Sequence, residues 1–156
     1  EGGPGLAYCF GVLLDASTEL WVDRLALVDA VTLNFLLGNH DAHGKNFSLL
    51  LADASVRLAP LYDLVSTAVY AGLDRKLAMA IGGEYRPDYI RRRHVDRFAG
   101  QTRLGPAAVR RRMVRLADRA RAAAGDTVDR VGHRPVLDRV LETISTRAGL
   151  LGRELA

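Results

Sequence analysis

Gly38-Asn39-His40-Asp41-Ala42-His43-Gly44-Lys45-Asn46, followed by Leu61-Tyr62-Asp63, sets an aspartate, an asparagine five residues later and a second aspartate 17 residues beyond that. Asp and Asn are common loop and capping residues, so this spacing gains meaning from its flanks. On the N-terminal side, Ser17 or Thr18 is a suitable N-cap for a helix over Glu19 to Leu37. Its apolar positions include Leu20, Leu27, Val31 and Phe35, and Gly38 is a preferred stop. The wide apolar stripe predicts a central, buried helix. On the C-terminal side, Phe47–Leu51 and Val56-Arg57-Leu58 flank Asp53-Ala54, the pattern of a short hairpin. A hairpin there returns Asp63 to the end of the molecule that holds Asp41 and Asn46.

Such a trio suits phosphoryl transfer, which needs charge neutralised and an acceptor oriented more than it needs covalent chemistry. In the H-R-D-x-x-x-x-N loop with a later D-F-G, the first Asp orients the acceptor hydroxyl, and the Asn and second Asp hold Mg²⁺. Asp41, Asn46 and Asp63 keep that order. Lys45 could lie near the transferred charge and His43 could brace the loop. His40 and His43 around Asp41 leave a second chemistry open, a metal-dependent hydrolase with imidazole and carboxylate ligands. His94 and His133 offer no carboxylate-rich setting to complete such a site, so solvated or loop-bracing histidines are expected.

The chain of 156 residues is read as one domain over 1–156, with 49% hydrophobic and 26% charged residues. A single cysteine, Cys9, rules out an internal disulfide framework and suits a reducing compartment. Between Tyr8 and Phe10 it reads as a small packed hydrophobe. No apolar run approaches a membrane span, and a cytoplasmic protein is expected. The net charge of +4 hides an asymmetry. Residues 1–85 carry 5 Lys/Arg against 10 Asp/Glu, whereas residues 86–121 carry 12 Arg against 3 Asp. That basic run could serve nucleic acid or an acidic partner. At helical spacing, however, Arg111, Arg115 and Arg119 share one stripe while Val109, Met113, Leu116 and Ala117 offer a packing face, which reads as a solvated helix surface.

Leu77–Ile81 is a short apolar segment ending at the Gly82-Gly83 turn. Three further helices are predicted over about Asp88–Gln101, Pro106–Ala124 and Pro135–Leu155, with breaks at Gly125, Gly132 and Pro135. The fold class is therefore mostly α. Gly2-Gly3-Pro4-Gly5 is a flexible or tightly turning lead-in without the G-x-G-x-x-G spacing of a phosphate loop.

The segment Asn34–Ser48, together with Leu58–Leu64, Leu77–Arg86 and Gly2–Gly5, resembles HipA-like serine/threonine kinases, the toxins of bacterial toxin–antitoxin pairs. The last third matches only in being helical. The resemblance implies a helical C-terminal kinase lobe with a short β-hairpin carrying the catalytic and metal loops. It implies Asp41 as catalytic aspartate, with His43 and Lys45 beside it in the motif. It implies Asn46 and Asp63 as Mg²⁺ ligands, ATP as co-substrate, and Ser or Thr of a protein as acceptor. A HipB-like DNA-binding antitoxin and a target such as an aminoacyl-tRNA synthetase are the implied partners. One departure is large: residues 1–15 cannot supply the ATP-gripping N-terminal lobe, and Lys45 and Lys76 are the only lysines. A C-lobe alone is expected, with a possible separate N-lobe and no appreciable turnover by itself. Two other readings stay open, an interaction module and a small-molecule phosphotransferase of aminoglycoside or choline kinase type.

Overall fold

In a computed structural model, residues 3–132 and 134–156 are described; Glu1, Gly2 and His133 lie outside them, with the readings placed on Gly2 and His133. Five helices surround one core and carry one hairpin: α1 Leu6–Ala16, α2 Leu20–Leu37, β1 Leu49–Ala52, β2 Ser55–Leu58, α3 Arg92–Thr102, α4 Pro106–Val131 and α5 Pro135–Leu155. Single 3₁₀ turns lie at Gly44–Asn46, Thr67–Val69 and Pro87–Tyr89.

Helix α2 is the axis. Leu27, Val28, Ala30, Val31, Phe35 and Leu36 are buried on several of its sides, against α1, α4 and α5. It stops where expected: Gly38 adopts φ 76 and its N–H bonds back to the carbonyls of Asn34 and Phe35. A Cβ at Gly38 would lie 2.6 Å from Ala68 Cβ, so glycine also admits the later chain there. The start differs from the expectation. Thr18 pairs instead with Val56 of the hairpin, and Ser17 donates to Asp23 Oδ2 at 2.7 Å.

Asp23, 2% exposed, fastens the hairpin to α2 by accepting from Arg57 Nε and Nη2 and from the Leu58 N–H. The hairpin itself is antiparallel, with Ala52 opposite Ser55, so Asp53-Ala54 forms the two-residue turn.

Helix α1 went unpredicted. It has no side-chain N-cap and contains Gly11, so local signals are weak. Leu6, Phe10 and Leu13 nonetheless form a buried stripe, and Phe10 meets Phe98 of α3 edge to face at 5.8 Å. Half-buried Cys9 packs against the same core, where burial raises its thiol.

Leu77–Ile81 forms no strand; only a single bridge joins Ile81 to Glu84 around the Gly82-Gly83 turn. Helix α3 begins at Arg92 rather than Asp88, because Pro87–Tyr89 closes as a separate 3₁₀ turn. Helix α4 runs through Gly125 to Val131, where packing with α5 and burial of Val128 offset the usual glycine cost of about 1 kcal/mol. Its Val109, Met113 and Ala117 are buried and Arg111, Arg115 and Arg119 exposed, as the spacing predicted, while Leu116 at the edge of that face is half-buried. No described helix is long and apolar enough to cross a membrane.

Candidate active site

The loop after Gly38 is held between α2 and the chain that follows the hairpin. Asn46 Nδ2 donates to Asp63 Oδ2 at 2.7 Å, so two of the three expected site residues touch across 17 positions. Asn46 Oδ1 accepts from the His43 N–H at 3.0 Å, which closes the Gly44–Asn46 turn. Asp41 is exposed, its carboxylate free of hydrogen bonds among the described residues and its N–H bound to Asn39 Oδ1 at 3.2 Å. Asp63 sits at φ 55, a left-handed conformation that aspartate tolerates better than most residues. Strain of this kind persists where surrounding contacts over-determine the backbone. Here Asn39 Nδ2 binds the Asp63 carbonyl at 2.9 Å.

Asn39 is the residue that sequence reasoning passed over. It is buried, donates to Asn34 Oδ1 at 2.8 Å and to the Asp63 carbonyl, and accepts from Asp41. One amide thus ties both aspartates to α2. Its place beside His40-Asp41 was the available signal, but an Asn after a helix-ending glycine reads locally as a turn residue. Tyr62 is a second tie: its hydroxyl donates to the Lys45 carbonyl at 2.5 Å and lies 2.9 Å from Ser48 Oγ. The lead-in also reaches the loop, since a Cβ at Gly44 would fall 2.6 Å from Pro4 Cγ.

The expected side-chain roles divide. Lys45 is exposed, with its side chain open to solvent. His43 contributes its backbone N–H, and its Nδ1 is buried without a partner among the described residues. Loop bracing by an imidazole falls to His40. Its N–H donates to Thr67 Oγ1 at 2.8 Å, its carbonyl accepts from Ala78 at 2.8 Å, and both ring nitrogens are engaged. His94 likewise braces, accepting the Arg91 N–H at Nδ1.

The donor set can be tested against possible metals. No group of three or more His, Cys, Asp or Glu positioned for a metal occurs among the described residues. With His40 occupied at both nitrogens, the imidazole–carboxylate hydrolase loses its first ligand. The Asp63 carboxylate and the Asn46 amide, side by side and open to solvent, are the oxygen-bearing groups that suit a hard cation, which keeps waters and takes further oxygens from a phosphate. Asn46 now turns Nδ2 toward Asp63, so a shared cation would have to replace that contact with Oδ1. Part of the basic run is paired within the chain: Arg110 with Asp96, Arg112 with Asp29, Arg86 with Glu84 and Arg91 with Glu154.

Fold and site together define a helical, kinase-like lobe with a polar trio at one end of its central helix. The sequence profile described as the HipA-like C-terminal domain matches residues 3–127, and the chain belongs to that family. It is 37% identical over 155 residues to a protein of Sinorhizobium fredii named putative kinase Y4mE, covering 97% of this chain and 37% of that one. It is 46% identical over 57 residues to the serine/threonine-protein kinase toxin HipA of Shewanella oneidensis, covering 36% of this chain and 13% of the relative. A chain in the solved Shewanella oneidensis complex of HipA, HipB and operator DNA shares the fold, with a TM-score of 0.86 and 22% identity over 96% of this chain and 36% of that one. The chain therefore spans a little over a third of the length of the first of these relatives.

Proposed function

We propose that the chain is the catalytic lobe of a serine/threonine protein kinase of the HipA kind, passing the γ-phosphoryl group of ATP to a protein hydroxyl. The carrying observation is the Asn46–Asp63 contact, five residues along the loop from the exposed Asp41, within a family whose relatives are named as kinases. Asp41 accepts the proton of the attacking hydroxyl, and its N–H bond to Asn39 sets its position. Asn46 and Asp63 would hold Mg²⁺, which supplies charge neutralisation for the nucleotide's phosphates. Lys45, exposed next to Asn46, faces the negative charge of the transferred group, and His43 keeps the Asn46 amide oriented through its N–H.

The grip on ATP belongs in this reading to a separate N-terminal lobe: Lys45 and Lys76 are exposed and neither lies on a strand. The name of the structural neighbour, a complex with HipB, supports a HipB-like antitoxin as partner. A cytoplasmic setting and a protein target such as an aminoacyl-tRNA synthetase follow from the family resemblance.

Paramagnetic Mn²⁺, titrated with ADP into the ¹⁵N-labelled chain, tests the reading. Amide broadening is expected to centre on Asn46 and Asp63, and Asp63→Asn to weaken the apparent affinity by about tenfold or more. Broadening centred elsewhere, or an unchanged affinity in the variant, would overturn it.

A further inference from the structure

Arg147 of α5 is 6% exposed and makes no ion pair with any carboxylate among the described residues. Its Nη1 donates to the Phe35 carbonyl at 2.5 Å, its guanidinium lies 5.2 Å from the Phe35 ring centre, and its Nη2 is 2.7 Å from His40 Nε2. The cation therefore sits at the C-terminal end of α2, where the helix dipole favours positive charge, and reaches the residue next to Asp41. If Arg147 served stability alone, an apolar residue of similar volume would serve as well or better, because burying a guanidinium is costly.

The two contacts of the His40 ring agree on one protonation state. A guanidinium can only donate, so Nε2 must be a bare acceptor. The Asp74 carbonyl, 3.1 Å from Nδ1, can only accept, so Nδ1 must carry the proton. Burial first and Arg147 second push His40 below its ordinary value, against Asp74 and Asp88, which favour the charged ring. Burial lowers Arg147 only to about 10, leaving it charged at neutral pH. A cavity of about 230 Å³ borders the pair, lined also by Arg75, Asp88, Glu142 and Thr143.

We propose that Arg147 is a positioning residue for the Asp41–Asn46 loop: it locks His40 as the Nδ1–H tautomer and so pins the start of that loop to the Asp74 carbonyl. Helix α5 lies beyond the residues that the family profile matches, so this role rests on the contact alone. It also rests on the phosphotransfer reading for what the loop does, though not for the tautomer.

The test is ¹⁵N NMR of ring nitrogens in the full chain. Wild type is expected to show neutral, Nδ1-protonated His40 at pH 7. Arg147→Lys, which can still donate, should keep that state, whereas Arg147→Met should free Nε2 to take a second proton and shift His40 toward imidazolium. In Arg147→Met the hydrogen-bonded amides of Asp41, His43 and Asn46 should exchange about tenfold faster than in wild type, relative to core amides. A general loss of stability would accelerate all amides alike. An Nε2-protonated His40 in wild type, or an Arg147→Met protein with unchanged ring protonation and loop exchange, would overturn the proposal. The wild-type spectrum decides the tautomer even if Arg147→Met does not fold. A failed Mn²⁺ titration would remove the phosphotransfer reading and leave this result standing on its own.

Discussion

Asn39 shows how a single amide can set the relation between two carboxylates. All its bonds go to residues of the site or to Asn34 on α2, which in turn donates to the Ala30 carbonyl at 3.0 Å. Truncation would leave the buried Asn34 oxygen, the Asp63 carbonyl and the Asp41 N–H without this partner. Unmade hydrogen bonds of this kind cost about 1–3 kcal/mol. Asn39→Ala is therefore expected to lose about that much in urea unfolding and to release Asp63 from φ 55. Equal stability of the variant and wild type would contradict the hub assigned to Asn39.

Among the elements, the hairpin depends on the N-terminal end of α2 as much as on its own turn. Burial alone would raise the Asp23 carboxyl, but hydrogen bonds from Arg57, Ser17 and the Leu58 N–H outweigh it and hold the group below its ordinary 3.8. A carboxylate depressed in the folded state adds stability that is complete above the unfolded value and disappears as pH falls through the folded one. Acid should thus weaken the α2–hairpin junction from about pH 4 downward. Denaturant midpoints measured at pH 6 and pH 3 should differ less in Asp23→Asn than in wild type. A pH response identical in the two proteins would sink the argument. The elements legible from pattern alone were those with strong punctuation: Gly38 ended α2, Asp53-Ala54 turned the hairpin, and Pro135 opened α5. Helix α1 lacked a cap, and Gly125 proved a weaker signal than the packing along α4, so both boundaries were decided by neighbours.

At the scale of the whole molecule, one core joins α1, α2, α3, α4 and α5, and Phe98 lies fully buried within it. Phe98→Ala should cost about 3–5 kcal/mol, since the edge-to-face contact with Phe10 disappears and a cavity remains. Calorimetry or urea unfolding checks the size. A loss below 1 kcal/mol would mean that α1 and α3 do not share a packed interior.

The trio Asp41, Asn46 and Asp63, the helix before it and the hairpin within it were all present in the sequence. Spacing along the chain fixes which residues a helix end and a two-residue turn bring together, and those contacts are short in sequence. Only the tertiary structure supplied Asn39 as the link between the aspartates, Pro4 against Gly44, and Arg147 beneath His40 across 107 positions. Such contacts leave no periodic trace. An arginine on a helix reads as solvent-facing until the fold buries it against the end of another helix. The opening motif is therefore half of an explanation: local geometry brings Asn46 and Asp63 into contact, and the distant α5 helix holds the start of the loop that carries Asp41 and Asn46.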